Sequence, residues 1–337
     1  MRASVNVTEE SIRRGVTDKN ASISEAGMNR LARFSWFVVA YNIAVILWGA
    51  YVRATGSGAG CGSHWPLCNG EILPTTAQTQ TLIEFTHRVT SGLSLVLMCI
   101  LLIWCWRHTA KGDWPRRSVV CASILLLNEA LLGAMLVVFE HVGMDQSASR
   151  AVFLCLHFAN TLVLVAALTL TAKWLSNGDR RLEAAARRYE RFVIGFGLLC
   201  VVATGITGSL AALGDTIFPA GTLKASMAQD FSSGSHVLLR LRLFHPVVAV
   251  MALLYVMWMV HKLSKNRADR DSSRTLPFLT TTLLAQVALG VLNVLLLAPV
   301  WLQITHLLVA EVFWILLVLA SADVLLQSQK TLAEHSS

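Results

Sequence analysis

Polar residues dominate the first 33 positions of the chain, and from there to residue 326 long apolar runs alternate with short polar ones. Eight of these runs approach the ~20 apolar residues that a helix needs to cross a bilayer. They fall at about 35–52, 81–106, 118–139, 151–173, 192–213, 236–260, 277–297 and 301–326. The pattern predicts an all-α integral membrane protein with eight transmembrane helices. Residues 1–33 contain no apolar signal core and read as a mobile tail ahead of an uncleaved first span.

Composition agrees. Of 337 residues, 55% are hydrophobic and 14% charged, where a soluble chain carries roughly a quarter charged. The net charge of +8 has a topological meaning, because 22 of the 28 Lys and Arg residues lie in the N-terminal tail, the second, fourth and sixth loops and the C-terminal tail. Basic residues gather on the cytoplasmic side, so both termini are expected there. They flank apolar spans rather than forming one patch, which argues against a nucleic-acid partner. The remaining six, Arg53, Arg88, Arg150, Lys224, Arg240 and Arg242, lie at or near the outer ends of spans. Snorkelling to outer headgroups explains any one of them; six together suggest anionic partners on that face.

The chain also repeats itself. Gly133 in "ALLGAMLVV" matches Gly290 in "VALGVLNVL" 157 positions on, and Thr55-Gly-Ser57 matches Thr207-Gly-Ser209 at 152. The expected organisation is a tail (1–33), an N-terminal four-helix half (34–175), a cytoplasmic linker (176–191), a C-terminal four-helix half (192–326) and a second tail (327–337). On this frame His87 meets His245 at an offset of 158 and His157 meets His306 at 149.

A single histidine in an apolar span is more often a satisfied core residue than a ligand, but four at related places reverse that reading. Ionisable groups inside a membrane are costly and by default functional. All four lie within about ten residues of the outer start of an even-numbered span, hence at similar depth. Helix bundles build cofactor sites from facing side chains, and His87 with His157, and His245 with His306, would each supply two axial ligands to a haem iron. Zinc competes poorly, because two histidines per site without nearby paired Cys or carboxylates fall short of its usual set. Haem propionates would also give the outer arginines partners. The other histidines, His64, His108, His141, His236, His261 and His335, read as solvated.

Cys99, Cys105, Cys121, Cys155 and Cys200 lie in apolar spans and read as packing residues. Cys61 and Cys68 share the first outer loop, in an oxidising compartment where a disulfide forms readily; a structural clip and a thiol relay are both open. Glu129 and Glu311 are intramembrane acids without an assigned role.

The run "WGAYVRATGSGAGCGSHWPLC" (48–68), then "EFTHR" (84–88), then a histidine in each later even-numbered span, resembles the haem A synthase family of bacteria and mitochondria, over about residues 34–326. The resemblance implies a bacterial cytoplasmic membrane enzyme that oxidises one ring methyl of haem O to the formyl group of haem A, for terminal oxidases. It implies that His87 and His157 flank substrate haem O, that Glu84 acts beside it, and that His245 and His306 ligate a permanent haem b. Arg53, Arg88 and Arg242 become candidate propionate or substrate contacts. Haem O synthase and oxidase assembly factors become candidate partners beside the lipid, and self-association stays open. Some relatives carry a second cysteine pair before the sixth span; residues 214–235 contain none here.

Aligning His87 on His245 puts Glu84 on Arg242 and Arg88 on Pro246, so only the N-terminal half has this acid. Glu84 and His87 share a helix face, and a carboxylate there accepts protons as C–H bonds are oxidised. A clasp with Arg88 at i,i+4 is the structural alternative. Two other functions compete: a bis-histidine di-haem electron-transfer protein, which favours haems at different depths, and a haem carrier, which repeats alone would allow.

Overall fold

The computed structural model describes residues 3–75, 78–178, 182–184, 186–264 and 272–328. Nine α-helices are found among them: α1 Ala3–Ala54, α2 Thr79–His108, α3 Trp114–Val138, α4 Ala148–Asn177, α5 Arg188–Ile217, α6 Leu223–Phe231, α7 Val237–Ser264, α8 Ser272–Leu295 and α9 Val300–Leu325. All but α6 are long and apolar enough to span a membrane. The chain is therefore a multi-pass membrane protein.

The packing shows why the pattern reads so clearly. Along α2, Val89, Leu93, Val96, Ile100 and Ile103 are exposed, while Thr81, Glu84, Ser94, Met98, Leu101 and Cys105 are buried. These sets recur every three to four residues on opposite faces, and the greasy face points outward, as lipid rather than water requires. One core gathers side chains of α1 to α4, including Leu31, Val38, Leu101, Val119 and Leu168. A second gathers α4, α5, α7, α8 and α9 around Val165, Ile194, Val256, Leu283 and Leu317, and a smaller third joins Leu213 and Ile217 of α5 to Leu238 of α7. Helix α4 contributes to the first two cores and packs on α5 and α9, and α1 also meets α9. Trp314 Nε1 donates to Leu162 O at 2.8 Å across this junction.

Three features depart from the sequence reading. The polar residues after Ala3 continue into the first span as one helix; no proline precedes Pro66 to stop a helix nucleated by the span. Leu182–Ala184 of the expected linker pairs antiparallel with Leu326–Ser328, where the last span passes into the expected tail, tying the end of α9 to the segment between α4 and α5. The segment between α5 and α7 contains α6, whose start is capped by Thr222 Oγ1 accepting Ala225 N–H at 3.1 Å.

The Thr55–Ser57 match also fails structurally. Gly56 has φ 66° and precedes a 3-10 turn at Ser57–Ala59, whereas Thr207–Ser209 lies inside α5. Gly49, 159 positions before Gly208, is the glycine with the corresponding contact.

Candidate functional site

His87 lies eight residues into α2, His157 nine into α4, His245 eight into α7 and His306 six into α9. At 1.5 Å per residue this is about 9–14 Å from the N-terminal ends of these helices. His87 and His157 lie within electrostatic reach of each other, as do His245 and His306.

Each histidine faces a glycine on a neighbouring helix. A Cβ on Gly49 would stand 3.0 Å from His87 Cε1, one on Gly208 3.0 Å from His245 Cε1, one on Gly290 3.4 Å from His306 Cε1 and one on Gly133 3.7 Å from His157 Cε1. At the first two positions any side chain would displace the imidazole, so glycine sets where the ring stands. The interval from Gly133 to His157 is 24 residues and that from Gly290 to His306 is 16. The first arms are equal, Gly133 to Val138 and Gly290 to Leu295, so the difference lies in the connection, 139–147 against 296–299, and in the second arm, where His306 is nearer its helix start than His157; this accounts for the shortened offset of the last histidine pair.

The ring nitrogens are incompletely used. Nδ1 of His87, His157 and His306 is buried without a hydrogen-bond partner among the described residues; His245 Nδ1 has Thr207 Oγ1 at 3.2 Å. Gln286 Nε2 stands 3.2 Å from His306 Nε2, and Glu129 Oε1 stands 3.4 Å from His157 Nδ1. Buried polar atoms are normally paired, so a cluster of open imidazole nitrogens facing small residues points to a ligand. Among the described residues no three or more His, Cys, Asp or Glu gather around a point. Pairs of histidines suit an iron whose other positions come from a macrocycle.

Glu84 is 3% exposed and both its oxygens are engaged. Oε2 accepts Cys61 N–H at 2.8 Å, and Oε1 accepts Arg88 Nε at 3.1 Å and Nη2 at 2.5 Å. Arg88 also donates to the carbonyl oxygens of His64 at 2.6 Å, Leu67 at 2.5 Å and Gly62 at 3.4 Å. The same loop is closed by a Cys61–Cys68 disulfide with Cα atoms 4.4 Å apart. The first residues of α2 therefore fasten a folded lid one turn outside His87.

The outer arginines grip protein. Arg53 reaches from α1 to Ala212 O at 2.6 Å, Thr216 Oγ1 at 3.0 Å and Gln303 Oε1 at 3.0 Å, joining the halves. Arg242 pairs with Asp215 at 2.7 Å and with Asp230 of α6, and donates to Ser226 Oγ at 3.1 Å. Arg150 donates to Gly143 O at 2.8 Å and Asp145 O at 2.7 Å, and Arg240 to Ser233 O at 2.9 Å. These bonds account for five of the six outer cations by main-chain and side-chain partners, without headgroups. Of the histidines read as solvated, His141 is instead paired with Asp145 at 2.9 Å, and its hydrogen bond, with those from Ser147, holds that carboxyl below its ordinary range despite burial, which raises it. His335 lies outside the described residues.

Sequence reasoning missed Gly49, Gly208, Thr207, Gln286 and the partner of Glu129. One signal was present: Glu129 precedes Gly133 by four residues as Gln286 precedes Gly290.

Comparison with known proteins gives the following. The COX15-CtaA family, described as cytochrome oxidase assembly protein, matches residues 32–318. A Thermus thermophilus protein named protoheme IX farnesyltransferase is 41% identical over 302 residues, covering 90% of this chain and 50% of that protein. The chain thus spans about half the length of this relative. A heme A synthase of Alkalihalophilus pseudofirmus is 31% identical over 236 residues, covering 68% of this chain and 75% of that enzyme. One of an Exiguobacterium species is 29% identical over 261 residues, covering 77% and 82%.

Proposed function

The chain belongs to the COX15-CtaA, or haem A synthase, family, and from this we propose that it oxidises one ring methyl of haem O to a formyl group, making haem A. The observation that carries the reading is the pair of histidine pairs, each ring set against a glycine at similar depth and three of the four with an open Nδ1. That arrangement fits two haems. His245 and His306 would hold a permanent haem b, which when bound supplies one-electron iron chemistry. His87 and His157 would position haem O. Glu84, in the half that alone has an acid beside its histidine, would orient or accept protons as the methyl loses hydrogen. The Cys61–Cys68 lid, drawn down by Glu84 and Arg88, would shield that side from water.

Co-expression with a haem O synthase, followed by haem extraction and chromatography, tests the reading: haem A should appear only when both proteins are present. Haem O unchanged at normal protein levels would refute it. The Thermus relative's name sets a second reading, farnesyl addition to protohaem, although half of that protein lies outside the match. Haem O arising from this chain alone would favour it. Two intact bis-histidine haems with neither product would favour electron transfer.

We further propose that the bundle sits in a bacterial cytoplasmic membrane with the lid outside and both termini in the cytoplasm. Reporter fusions after Lys111 should report cytoplasm and fusions after Lys224 the outside; the reverse pattern would invert the site's orientation.

A further inference from the structure

Two acids lie in the membrane interior without a part in the reading above, Glu129 and Glu311. Glu311 is fully buried with neither oxygen partnered among the described residues, which identifies no ligand by itself. Glu129 is different, because its neighbours form a directed set. Asn160 Nδ2 donates to its Oε2 at 2.6 Å and Thr161 Oγ1 donates to its Oε1, so α4 fixes the carboxylate from below. The remaining reach of Oε1 is toward His157 Nδ1, 3.4 Å away, an atom with no other partner among the described residues. Thr161 Oγ1 also contacts His157 O at 2.9 Å, so one turn of α4 holds both the imidazole and its facing anion.

The C-terminal half places an amide where this half places the acid. Glu129 and Gln286 are 157 positions apart, as are Gly133 and Gly290. In each hairpin the polar residue and the glycine are four apart on one face, and both meet the histidine of the next helix. A carboxylate only accepts hydrogen bonds; the NH₂ of an amide only donates. The two contacts also reach different ring nitrogens: Glu129 faces Nδ1 of His157, whereas Gln286 Nε2 faces Nε2 of His306, whose Nδ1 has no partner among the described residues.

We propose that Glu129 is the positioning residue of His157: its carboxylate accepts the Nδ1 proton and so turns Nε2 toward the iron of the haem in the N-terminal half, an anionic backing absent behind His306. This rests on the haem reading of the four histidines. A carboxylate behind a ligating imidazole fixes the tautomer and raises ligand basicity, which favours ferric over ferrous iron. The two haem sites thereby differ in redox preference although their four ligands are identical.

The test is a potentiometric titration of the purified, haem-loaded protein, with each haem followed by its electron paramagnetic resonance signal, beside the product assay. Glu129→Gln, which copies the other half, should weaken the ferric preference of the N-terminal haem about tenfold, an upward shift of about 59 mV for one electron. Glu129→Asp, which keeps the charge but draws it back from Nδ1 by one methylene, should shift the same haem upward by less. A role in packing alone predicts lower thermal stability with both potentials unmoved, and that result overturns the proposal. If Glu129→Gln fails to accumulate, Glu129→Asp decides, because an unmoved potential of the N-terminal haem is equally contrary. Should the potentials shift while the wild type makes no haem A, the function proposed above fails and this assignment stands. Should haem A form while the potentials stay fixed, the reverse holds.

Discussion

His87→Ala and His157→Ala are each expected to abolish haem A while sparing most copurifying haem b, and His245→Ala and His306→Ala are each expected to strip the haem b. Outer-shell partners of a ligand alone are worth 10–100-fold in metal affinity, so loss of the ligand itself should cost at least about 100-fold. Each variant deletes an imidazole from one histidine pair and leaves the other pair's two rings in place, so the effect should stay within its half. Alanine also leaves the glycine contact open instead of crowding it, which limits damage to packing. Pigment spectra of the purified variants measure haem b, and acid extraction with chromatography measures haem A. Equal loss of haem b in all four would refute the division of labour between the halves.

Glu84→Gln is expected to lower haem A by about 10²- to 10⁴-fold, the usual loss for a positioned acid or base, with haem b retained. The amide can still accept Cys61 N–H, so the lid keeps one of its two anchors. Arg88, however, loses its anion while half-sheltered beneath the loop, and a buried charge stripped of its partner is itself costly. The double change Glu84→Gln with Arg88→Gln removes that complication. If Glu84 takes part in the oxidation, the double variant stays as inactive as the single one. Recovery of haem A in the double variant would make the acid a fastener for the lid and nothing more. Both are quantified as haem A per haem b in membranes of equal protein content.

The spans were legible because lipid imposes a length and a composition that few other environments share, and the α2 faces show the same rule at the level of single residues. The four histidines stood out for a related reason: an imidazole is expensive in that medium, so its presence in each even-numbered span carries information. What surrounds them was not legible. Gly49 looks like any glycine near a span end, and only the three-dimensional approach of His87 distinguishes it. The partners of Arg53 are 159 to 250 positions away, with no local pattern to announce them. Helix α6 has nine residues, too few for a periodicity to register. The apparent Thr-Gly-Ser match misled because three letters recur by chance, while a contact does not.

The grip of Arg88 on the outer loop has a consequence for how that loop can change over time. Apart from Glu84, every group it holds is a main-chain oxygen, those of Gly62, His64 and Leu67. The side chains of His64, Trp65 and Leu67 point away and are exposed. A guanidinium reading carbonyls is indifferent to which residues present them, but sensitive to how many lie between them. Apart from Gly62, whose φ of 63° is one that L side chains rarely adopt, the exposed residues between the two cysteines are thus free to drift in identity and constrained in number: replacements there should be neutral to the clamp, whereas adding or deleting one residue would take the carbonyls out of reach.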